Sequence, residues 1–404
     1  MTTTLALRSV DLLPDPGGDG LLLRLVDDRQ RVGWGEAVAR PGFSRPLAEL
    51  VSAATSLQGA LTGRSLRSVE GAAELSAELR ATDAQPLPSP LRFAVESALL
   101  DLLGQAEGVP VARLLGEPAA RLRRNALVYA SAGPEQLTAL RERGFSTFKV
   151  KARGPWPGSL RDLQALGQAL GRSGEFGKPG TPGELGAASG ERGASGELRT
   201  SGKLRTSGKL GTSGKLRTSG EPIRLRIDCN GSIPSEDAPT LLEELAALTP
   251  EYVEEPIAGL SAAAWSDLVR PGLRLAVDES AVDETAWRAH LEVAAAAVVV
   301  IKPAFVGGIF AALRRAREAR ARGIEVVITS ALEGAIGTAA AAHLAFAIRP
   351  SLAVGITARR GAPLPLWLSA EAPTIDLPRA AGLGLDAVVP HGTAPQSQTI
   401  GARR

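Results

Sequence analysis

Two lysines, Lys149 and Lys151, lie two residues apart in a short apolar segment at residues 148–151. Side chains at positions i and i+2 of a β-strand point to the same face, so a strand here brings two ammonium groups together. Each charge disfavours the other, which lowers a lysine pKa towards the range in which lysine acts as a base. An isolated pair of this kind more often marks a solvated basic strand edge. Residues elsewhere in the chain must therefore distinguish a functional pair from such an edge.

Four further charged residues lie where later apolar runs stop: Asp228, Glu254, Asp278 and Lys302. Each has an ordinary explanation when taken alone, such as an Asx turn at Asp228 or a helix cap at Asp278. Their occurrence together, at the ends of consecutive apolar runs, favours one functional site.

The hydrophobic patterns predict the elements that position these residues. Strands are predicted at 2–10, 20–26 and 31–37, and helices follow at 46–58, 67–79 and 90–106. Eight apolar runs come next, at 124–129, 146–151, 223–228, 251–254, 273–277, 297–301, 324–328 and 352–355. Seven helical stretches separate them, at 134–143, 158–170, 236–247, 261–269, 283–292, 308–322 and 335–347. This alternation predicts an α/β fold, a modified (β/α)7β TIM-type barrel with an N-terminal α+β capping domain.

The predicted capping domain covers residues 1–120 and is completed by about residues 361–404, while the barrel covers residues 121–360. A segment at about 171–221, rich in Gly, Ser, Lys, Arg and Thr, interrupts the barrel and ends in four hexads that begin at Leu198. A leucine every six residues suggests a hexapeptide β-helix, but four hexads are too few to bury a core. The composition predicts a disordered insertion.

The composition indicates a globular protein, because 44% of the 404 residues are hydrophobic and 22% are charged. The single cysteine, Cys229, excludes a disulfide framework. No apolar run is long enough to span a bilayer, so we expect a soluble cytoplasmic protein without a membrane partner. A net charge of +3 and 4% aromatic residues give no reason to expect nucleic-acid binding.

Barrel geometry predicts what the charged residues do, because active sites lie at the carboxyl ends of barrel strands. Asp228, Glu254 and Asp278 end the third, fourth and fifth strands, so we expect them to converge on Mg²⁺, or alternatively Mn²⁺. Lys151 and Lys302 end the second and sixth strands, and we expect them to face each other across the metal. Such a site can deprotonate a carbon beside a carboxylate while the cation stabilises the enediolate.

Several motifs carry a family resemblance. They are Lys149-x-Lys151, Asp228-x-Asn230, Glu254-Glu255-Pro256, Asp278-Glu279-Ser280, Lys302-Pro303, Gly33-Trp34-Gly35-Glu36, Pro41-Gly42-Phe43-Ser44 and Thr329-Ser330-Ala331-Leu332-Glu333. With them the chain resembles the enolase superfamily in its muconate-lactonising subgroup and, more narrowly, the o-succinylbenzoate synthase family. The resemblance covers nearly the whole chain apart from the insertion and about the last forty residues.

The resemblance implies a Mg²⁺-dependent lyase that dehydrates 2-succinyl-6-hydroxy-2,4-cyclohexadiene-1-carboxylate (SHCHC), a small carboxylate, in menaquinone or phylloquinone biosynthesis. By position it implies that Lys151 removes the proton and returns it to the departing hydroxyl group. Lys302 would stabilise the dienediolate, and Lys149 would keep the Lys151 pKa low. The residues that it implies for substrate binding or support are Asn230, Glu279, Thr329, Ser330 and Phe43.

Two alternatives remain open at this point. The same pair of lysines could racemise N-succinylamino acids or epimerise dipeptides, since that reaction needs a base on each face. The barrel could instead be a non-catalytic scaffold with the insertion as its interaction arm. The sequence leaves the oligomeric state open.

Overall fold

The computed structural model describes residues 4–81, 84–156, 158–171 and 222–385. The first strands of the chain form an antiparallel sheet. Its strands, in the order β3-β2-β1-β4, are β1 (Leu5–Pro14), β2 (Gly20–Asp27), β3 (Val32–Val38) and β4 (Ser65–Leu66). The accompanying helices are α1 (Leu47–Ala54), α2 (Leu57–Leu61), α3 (Val69–Glu78), α4 (Ser89–Glu107) and α5 (Val111–Leu114). Helix α4 lies against β3 so closely that a Cβ atom at Gly35 would collide with the backbone oxygen of Ala94. The glycines of β3 therefore set the spacing of these two layers.

A curled parallel sheet of seven strands follows, in the order β12-β11-β10-β9-β8-β7-β6. The strands from this point are β5 (Arg121–Arg123), β6 (Ala126–Tyr129), β7 (Thr147–Lys151), β8 (Arg224–Asp228), β9 (Tyr252–Glu254), β10 (Leu275–Val277), β11 (Val298–Ile301), β12 (Glu325–Ile328) and β13 (Thr374–Asp376). The helices are α6 (Pro134–Glu142), α7 (Gly158–Gly171), α8 (Ala238–Ala247), α9 (Glu284–Val293), α10 (Ile309–Arg320) and α11 (Ala335–Ile348). Parallel strands covered on both faces must be apolar, and all four residues of β11 are buried. The predicted fold class is confirmed.

The predicted eighth strand at 352–355 was wrong in detail. Only two isolated parallel bridges form there, Arg124 with Val354 and Thr329 with Gly355. The ring still closes, because the Val354 amide donates to Arg123 O (2.8 Å) and the Gly355 amide donates to Ile328 O (3.0 Å).

Two predicted helices also differ. The one predicted at 261–269 is a 3₁₀ helix at Ala264–Leu268, and Pro271-Gly272 stands shortly after it. The one predicted at 46–58 is divided into α1 and α2. A second 3₁₀ turn, Glu279–Ala281, follows β10.

Buried carboxylates of the N-terminal domain contact the first turns of barrel helices. Glu36 on β3 accepts hydrogen bonds from the Gly334 and Gly337 amides at the start of α11. Glu96 on α4 accepts one from the Phe310 amide at the start of α10 (3.1 Å). Amide groups at a helix start lack partners within the helix, so these contacts satisfy both sides.

The chain returns to the N-terminal domain after the barrel. The Val111 amide donates to Gly382 O (2.9 Å), and the Leu383 amide donates to an Asp101 carboxylate oxygen (2.8 Å). The domain boundaries at 120 and 360 stay a prediction. The predicted insertion lies outside the described residues except for Gly171, and no helix in the described ranges has the length and apolar character to cross a membrane.

Candidate active site

The strand register brings the predicted residues to one edge of the sheet. Lys151 on β7 lies opposite Asp228 on β8, and Asp228 lies opposite Glu254 on β9. Asp278 directly follows β10, and Lys302 directly follows β11. Because carboxyl ends of parallel strands share one edge, all five side chains stand at the same end of the barrel.

A cavity of about 780 Å³ opens at this end. The predicted residues that line it are Phe43, Lys149, Lys151, Asn230, Glu279, Lys302, Thr329 and Ser330. The three predicted metal ligands do not line it, since Asp228, Glu254 and Asp278 are at most 2% exposed. The charged side chains of the cavity wall are therefore mainly cationic, and the acids are buried behind the lysines.

Each of the three buried carboxylates contacts a lysine. Lys149 Nζ lies 3.0 Å from Asp228 Oδ2 and 2.7 Å from Glu254 Oε1. Lys151 Nζ lies 3.1 Å from the same Asp228 oxygen. Lys302 Nζ contacts Asp278 Oδ2. The two lysines proposed to face the substrate thus contact different carboxylates, on strands separated in the sheet.

The ion pairs change the protonation of these groups. Burial alone would raise the pKa of Asp228, but Lys149 and Lys151 outweigh it and hold that pKa at about 2. Burial, followed by the charge of Asp228, raises the pKa of Glu254. Burial also disfavours the Lys149 ammonium, but Asp228 and Glu254 overcome it and raise the Lys149 pKa well above its ordinary value. The predicted lowering of a lysine pKa by its neighbour is therefore wrong for Lys149, because carboxylates surround it.

The expected convergence of three carboxylates on a metal ion stays a prediction. The described ranges contain no group of three or more His, Cys, Asp or Glu side chains placed to hold a metal ion. The Lys149 and Lys302 ammonium groups contact the three carboxylates.

The donor chemistry of the three acids nevertheless fits a hard divalent cation. All the side-chain donors are carboxylate oxygens, which suit Mg²⁺ or Mn²⁺. Glu254 Oε2 is buried without a hydrogen-bond partner among the described residues. Asp228 Oδ2 likewise accepts no well-aligned hydrogen bond, although two ammonium groups lie near it. A buried oxygen in this condition is costly unless a cation satisfies it.

Asn230 connects several parts of the site. Its Oδ1 accepts hydrogen bonds from Lys151 Nζ (2.9 Å) and from Arg153 Nε (3.0 Å). Its Nδ2 donates to Glu279 Oε1 (3.1 Å). Asn230 has a positive φ of 44°, which asparagine tolerates better than most residues. The side chain therefore orients Lys151 towards the cavity.

Two supporting residues were not predicted from the sequence. Glu255 accepts hydrogen bonds from the Asp278 amide (2.9 Å) and the Ser280 amide (3.3 Å), which fixes the turn after β10. Phe305 stacks on Phe43, with ring centroids 5.0 Å apart. Glu255 directly follows Glu254, a predicted metal ligand, and this position could have indicated its role. Nothing in the sequence near Phe305 indicates that it belongs to the site.

The loop of the N-terminal domain closes one side of the cavity. The Phe43 ring lies 4.2 Å from Lys302 Nζ, a cation–π distance. Arg40 donates to Ala331 O (3.1 Å) and Leu332 O (2.6 Å), and it also pairs with Asp19. These contacts tie the loop to the barrel segment after β12.

Ser330 and Thr329 differ in their partners. Ser330 Oγ donates to Thr357 O (2.6 Å) and accepts from the Thr357 amide (2.7 Å), so it joins two loops of the cavity wall. Thr329 Oγ1 has no hydrogen-bond partner within the described part of the chain. It is therefore the better placed of the two to bind a ligand.

Comparison with known proteins agrees with this architecture. Residues 22–116 match the family described as "Mandelate racemase / muconate lactonizing enzyme, N-terminal domain", and residues 214–388 match "Enolase C-terminal domain-like". A dipeptide epimerase from Enterococcus faecalis V583 has the same fold, with a TM-score of 0.73 at 20% identity over 94% of this chain and 99% of that chain.

Two curated relatives match part of the chain. An o-succinylbenzoate synthase from Thermobifida fusca is 37% identical over 130 residues, which are 31% of this chain and 38% of that protein. An N-succinyl-L-Arg/Lys racemase from Bacillus cereus is 29% identical over 171 residues, which are 41% and 45% of the two chains. The alignments thus span less than half the length of these relatives. The two matched domains and the site at the strand ends place this chain in the enolase superfamily, in the group of the mandelate racemases and muconate lactonizing enzymes.

Proposed function

We propose that this protein is an o-succinylbenzoate synthase, which removes water from SHCHC to form 2-succinylbenzoate. The observation that carries the proposal is the placement of Lys151 and Lys302 in one cavity, on strands four positions apart in the sheet order. Two amines placed in this way reach opposite faces of a bound substrate. Partial similarity to an o-succinylbenzoate synthase supports the choice of reaction.

Lys151 acts as the base and then as the acid. In its neutral form it accepts the proton from the carbon beside the ring carboxylate, which breaks the C–H bond. The same ammonium group then protonates the departing hydroxyl group as the C–O bond breaks, so that water leaves and the ring becomes aromatic. Asn230 Oδ1 accepts a hydrogen bond from Lys151 Nζ and holds it at the cavity wall.

Lys302 remains charged and stabilises the negative charge that develops on the substrate. Burial disfavours its ammonium form, but Asp278 outweighs burial and raises the pKa of Lys302 above its ordinary value. The Phe43 ring beside Nζ further favours the cation.

Asp228, Glu254 and Asp278 would hold Mg²⁺, as members of this superfamily generally do. When bound, the ion supplies positive charge to the substrate carboxylate and favours its enolised form. Lys149, which contacts Asp228 and Glu254, keeps Asp228 ionised and holds both side chains in place.

A second candidate is racemisation of N-succinylamino acids. The similarity to an N-succinyl-L-Arg/Lys racemase favours it, and so does the lysine on each side of the cavity. In that reaction one lysine removes the α-proton and the other returns a proton to the opposite face.

The assay of the purified protein on both substrates separates the candidates. We expect Mg²⁺-dependent loss of diene absorbance with SHCHC, and a much slower proton exchange at Cα of N-succinylamino acids. Lys151→Ala is the matched control and should be inactive in both assays. Turnover of N-succinylamino acids without turnover of SHCHC would favour the second candidate, and no activity on either would refute both.

A further inference from the structure

The cationic side chains of the cavity differ in how far protein groups already neutralise them. The lining residues that carry positive charge are Arg40, Lys149, Lys151, Arg153 and Lys302, whereas Glu279 is the only acidic residue among the described residues that line it. A wall of this charge selects anionic ligands.

Four of the five cations already contact carboxylates. Lys149, Lys151 and Lys302 each form an ion pair with a buried acid. Arg40 pairs with Asp19 and uses its other donors on backbone oxygens of the barrel loop. These four groups therefore enter the cavity with their charge largely compensated.

Arg153 is different. Its side chain makes one hydrogen bond with the described residues, from Nε to the neutral Asn230 side chain (3.0 Å), and it forms no ion pair with a carboxylate of those residues. Its terminal nitrogens point to no acceptor among those residues, and its side chain is exposed at the cavity wall. A guanidinium group in this state keeps two parallel N–H donors for a carboxylate.

The backbone around Arg153 is held in position. The Arg153 carbonyl oxygen accepts a hydrogen bond from Ser159 Oγ (2.8 Å), and the next amide, of Gly154, donates to Ser232 Oγ (3.4 Å). The Trp156 indole donates to Ser232 O (3.2 Å). The loop is thus attached both to α7 and to the turn after β8, so Arg153 needs little ordering to bind a ligand.

Arg153 and Lys151 also share an acceptor, since both donate to Asn230 Oδ1. The guanidinium group therefore lies close to the proposed base, on the same side of the cavity. A substrate whose reacting carbon is at Lys151 would reach Arg153 with a second group attached by a short chain.

We infer that Arg153 determines specificity by binding a second carboxylate of the substrate, separated from the reacting carbon by a short flexible chain. The inference rests on the proposed function, because a succinyl group carries its terminal carboxylate at such a distance. It assigns to this enzyme a dicarboxylate substrate, with one carboxylate at the Mg²⁺ that the buried acids would hold and the other at Arg153 on the cavity wall.

Binding of two product-like ligands tests the inference without turnover. Isothermal titration calorimetry with Mg²⁺ would compare 2-succinylbenzoate with 2-butanoylbenzoate, in which a methyl group replaces the terminal carboxylate. We expect the intact protein to prefer 2-succinylbenzoate by about 10- to 100-fold. Arg153→Met should reduce this preference to about one, and Arg153→Lys should retain part of it because a point charge remains.

Arg161→Met is the matched control, since Arg161 is an exposed arginine on α7 that does not line the cavity. It should keep the full preference. An unchanged preference in Arg153→Met, or an equal loss of affinity for both ligands, would overturn the inference. Turnover of SHCHC by the intact protein tests the proposed function separately. If SHCHC is not turned over but the preference for 2-succinylbenzoate depends on Arg153, the proposed reaction is refuted and the proposed carboxylate-binding role of Arg153 is retained.

Discussion

Two of the regions that hold buried carboxylates differ in the partners of those carboxylates. At the strand ends of the barrel, Asp228 and Glu254 contact the ammonium group of Lys149. Between the N-terminal domain and the barrel, Glu36 and Glu96 accept hydrogen bonds from backbone amides at helix starts. Both arrangements offset the cost of removing a carboxylate from water.

The difference lies in how easily the partner can move. Backbone amides of a helix are fixed, so Glu36 and Glu96 hold two bodies of the fold together. An ammonium group on a flexible side chain can move aside, so the acids at the strand ends can exchange it for a metal ion or a substrate contact. We therefore expect substitutions at the strand ends to lower turnover, and those at the helix starts to lower the free energy of unfolding.

The largest effect should follow from Lys151→Ala at the strand ends. It removes the proposed base, so kcat for SHCHC should fall by about 10³-fold or more. The melting temperature should stay close to that of the unaltered protein, since Lys151 lies partly exposed on the cavity wall. Turnover within tenfold of the unaltered protein would show that another group removes the proton.

Asp228→Asn should have the next largest effect. It removes one of the negative charges proposed to hold Mg²⁺, so metal affinity and activity should fall together, by at least about a hundredfold. Calorimetric titration with Mg²⁺ and the SHCHC assay in a chelator measure the two quantities. Full activity of the unaltered protein in the chelator would contradict the metal assignment.

Glu96→Gln tests the other region through its pH dependence. Burial, only partly opposed by the Ser76 hydroxyl and backbone amides, raises the Glu96 pKa to about 7 in the folded protein. A raised pKa contributes stability at pH below 4.5 that is lost as pH rises through 7. Relative to Glu96→Gln, which stays neutral, the unaltered protein should lose up to about 3 kcal/mol between pH 4.5 and 8.

Urea unfolding at several pH values measures this difference, and turnover per folded molecule is the control. A constant difference across that pH range would show that Glu96 stays ionised throughout. A large loss of turnover in the folded Glu96→Gln protein would show that the two regions are not separable.

The smallest effect is expected from Phe43→Leu, where the two regions meet. The substitution removes the stacking on Phe305 and the ring beside Lys302 Nζ. Cation–π contacts contribute about 0.5–2 kcal/mol, so KM for SHCHC should rise by up to about tenfold with little change in kcat. A larger fall in kcat than in affinity would show that the ring affects Lys302 during the reaction.

The sequence predicted those parts of the fold that depend on local pattern. Buried parallel strands read as apolar runs, and β7 to β11 each end at, or directly before, a charged residue that the shared strand edge brings into one site. The residues 352–355 also read as an apolar run, but the closing contacts depend on the neighbours Arg124 and Thr329, which no local pattern describes.

Contacts between side chains that are distant in the sequence could not be predicted either, because no local pattern describes them. The charge on Lys149 depends on acids that follow it by about 80 to 105 residues. Arg153 and Phe305 stand out only once loops from different strands line one cavity. Residue types at strand ends could be read from the chain, but the contacts among them could not.

The closure of the barrel at residues 354–355 has a consequence for its motions. Only isolated bridges pair this segment with Thr329, which follows β12, and with Arg124, which lies between β5 and β6, while the neighbouring strands are paired over several residues. Amide hydrogens at this seam should exchange with solvent faster than those of the central strands. Thr329 and Gly355 also line the cavity. Local opening of the barrel at this seam would therefore widen the cavity beside a bound substrate without moving Asp228, Glu254 or Asp278.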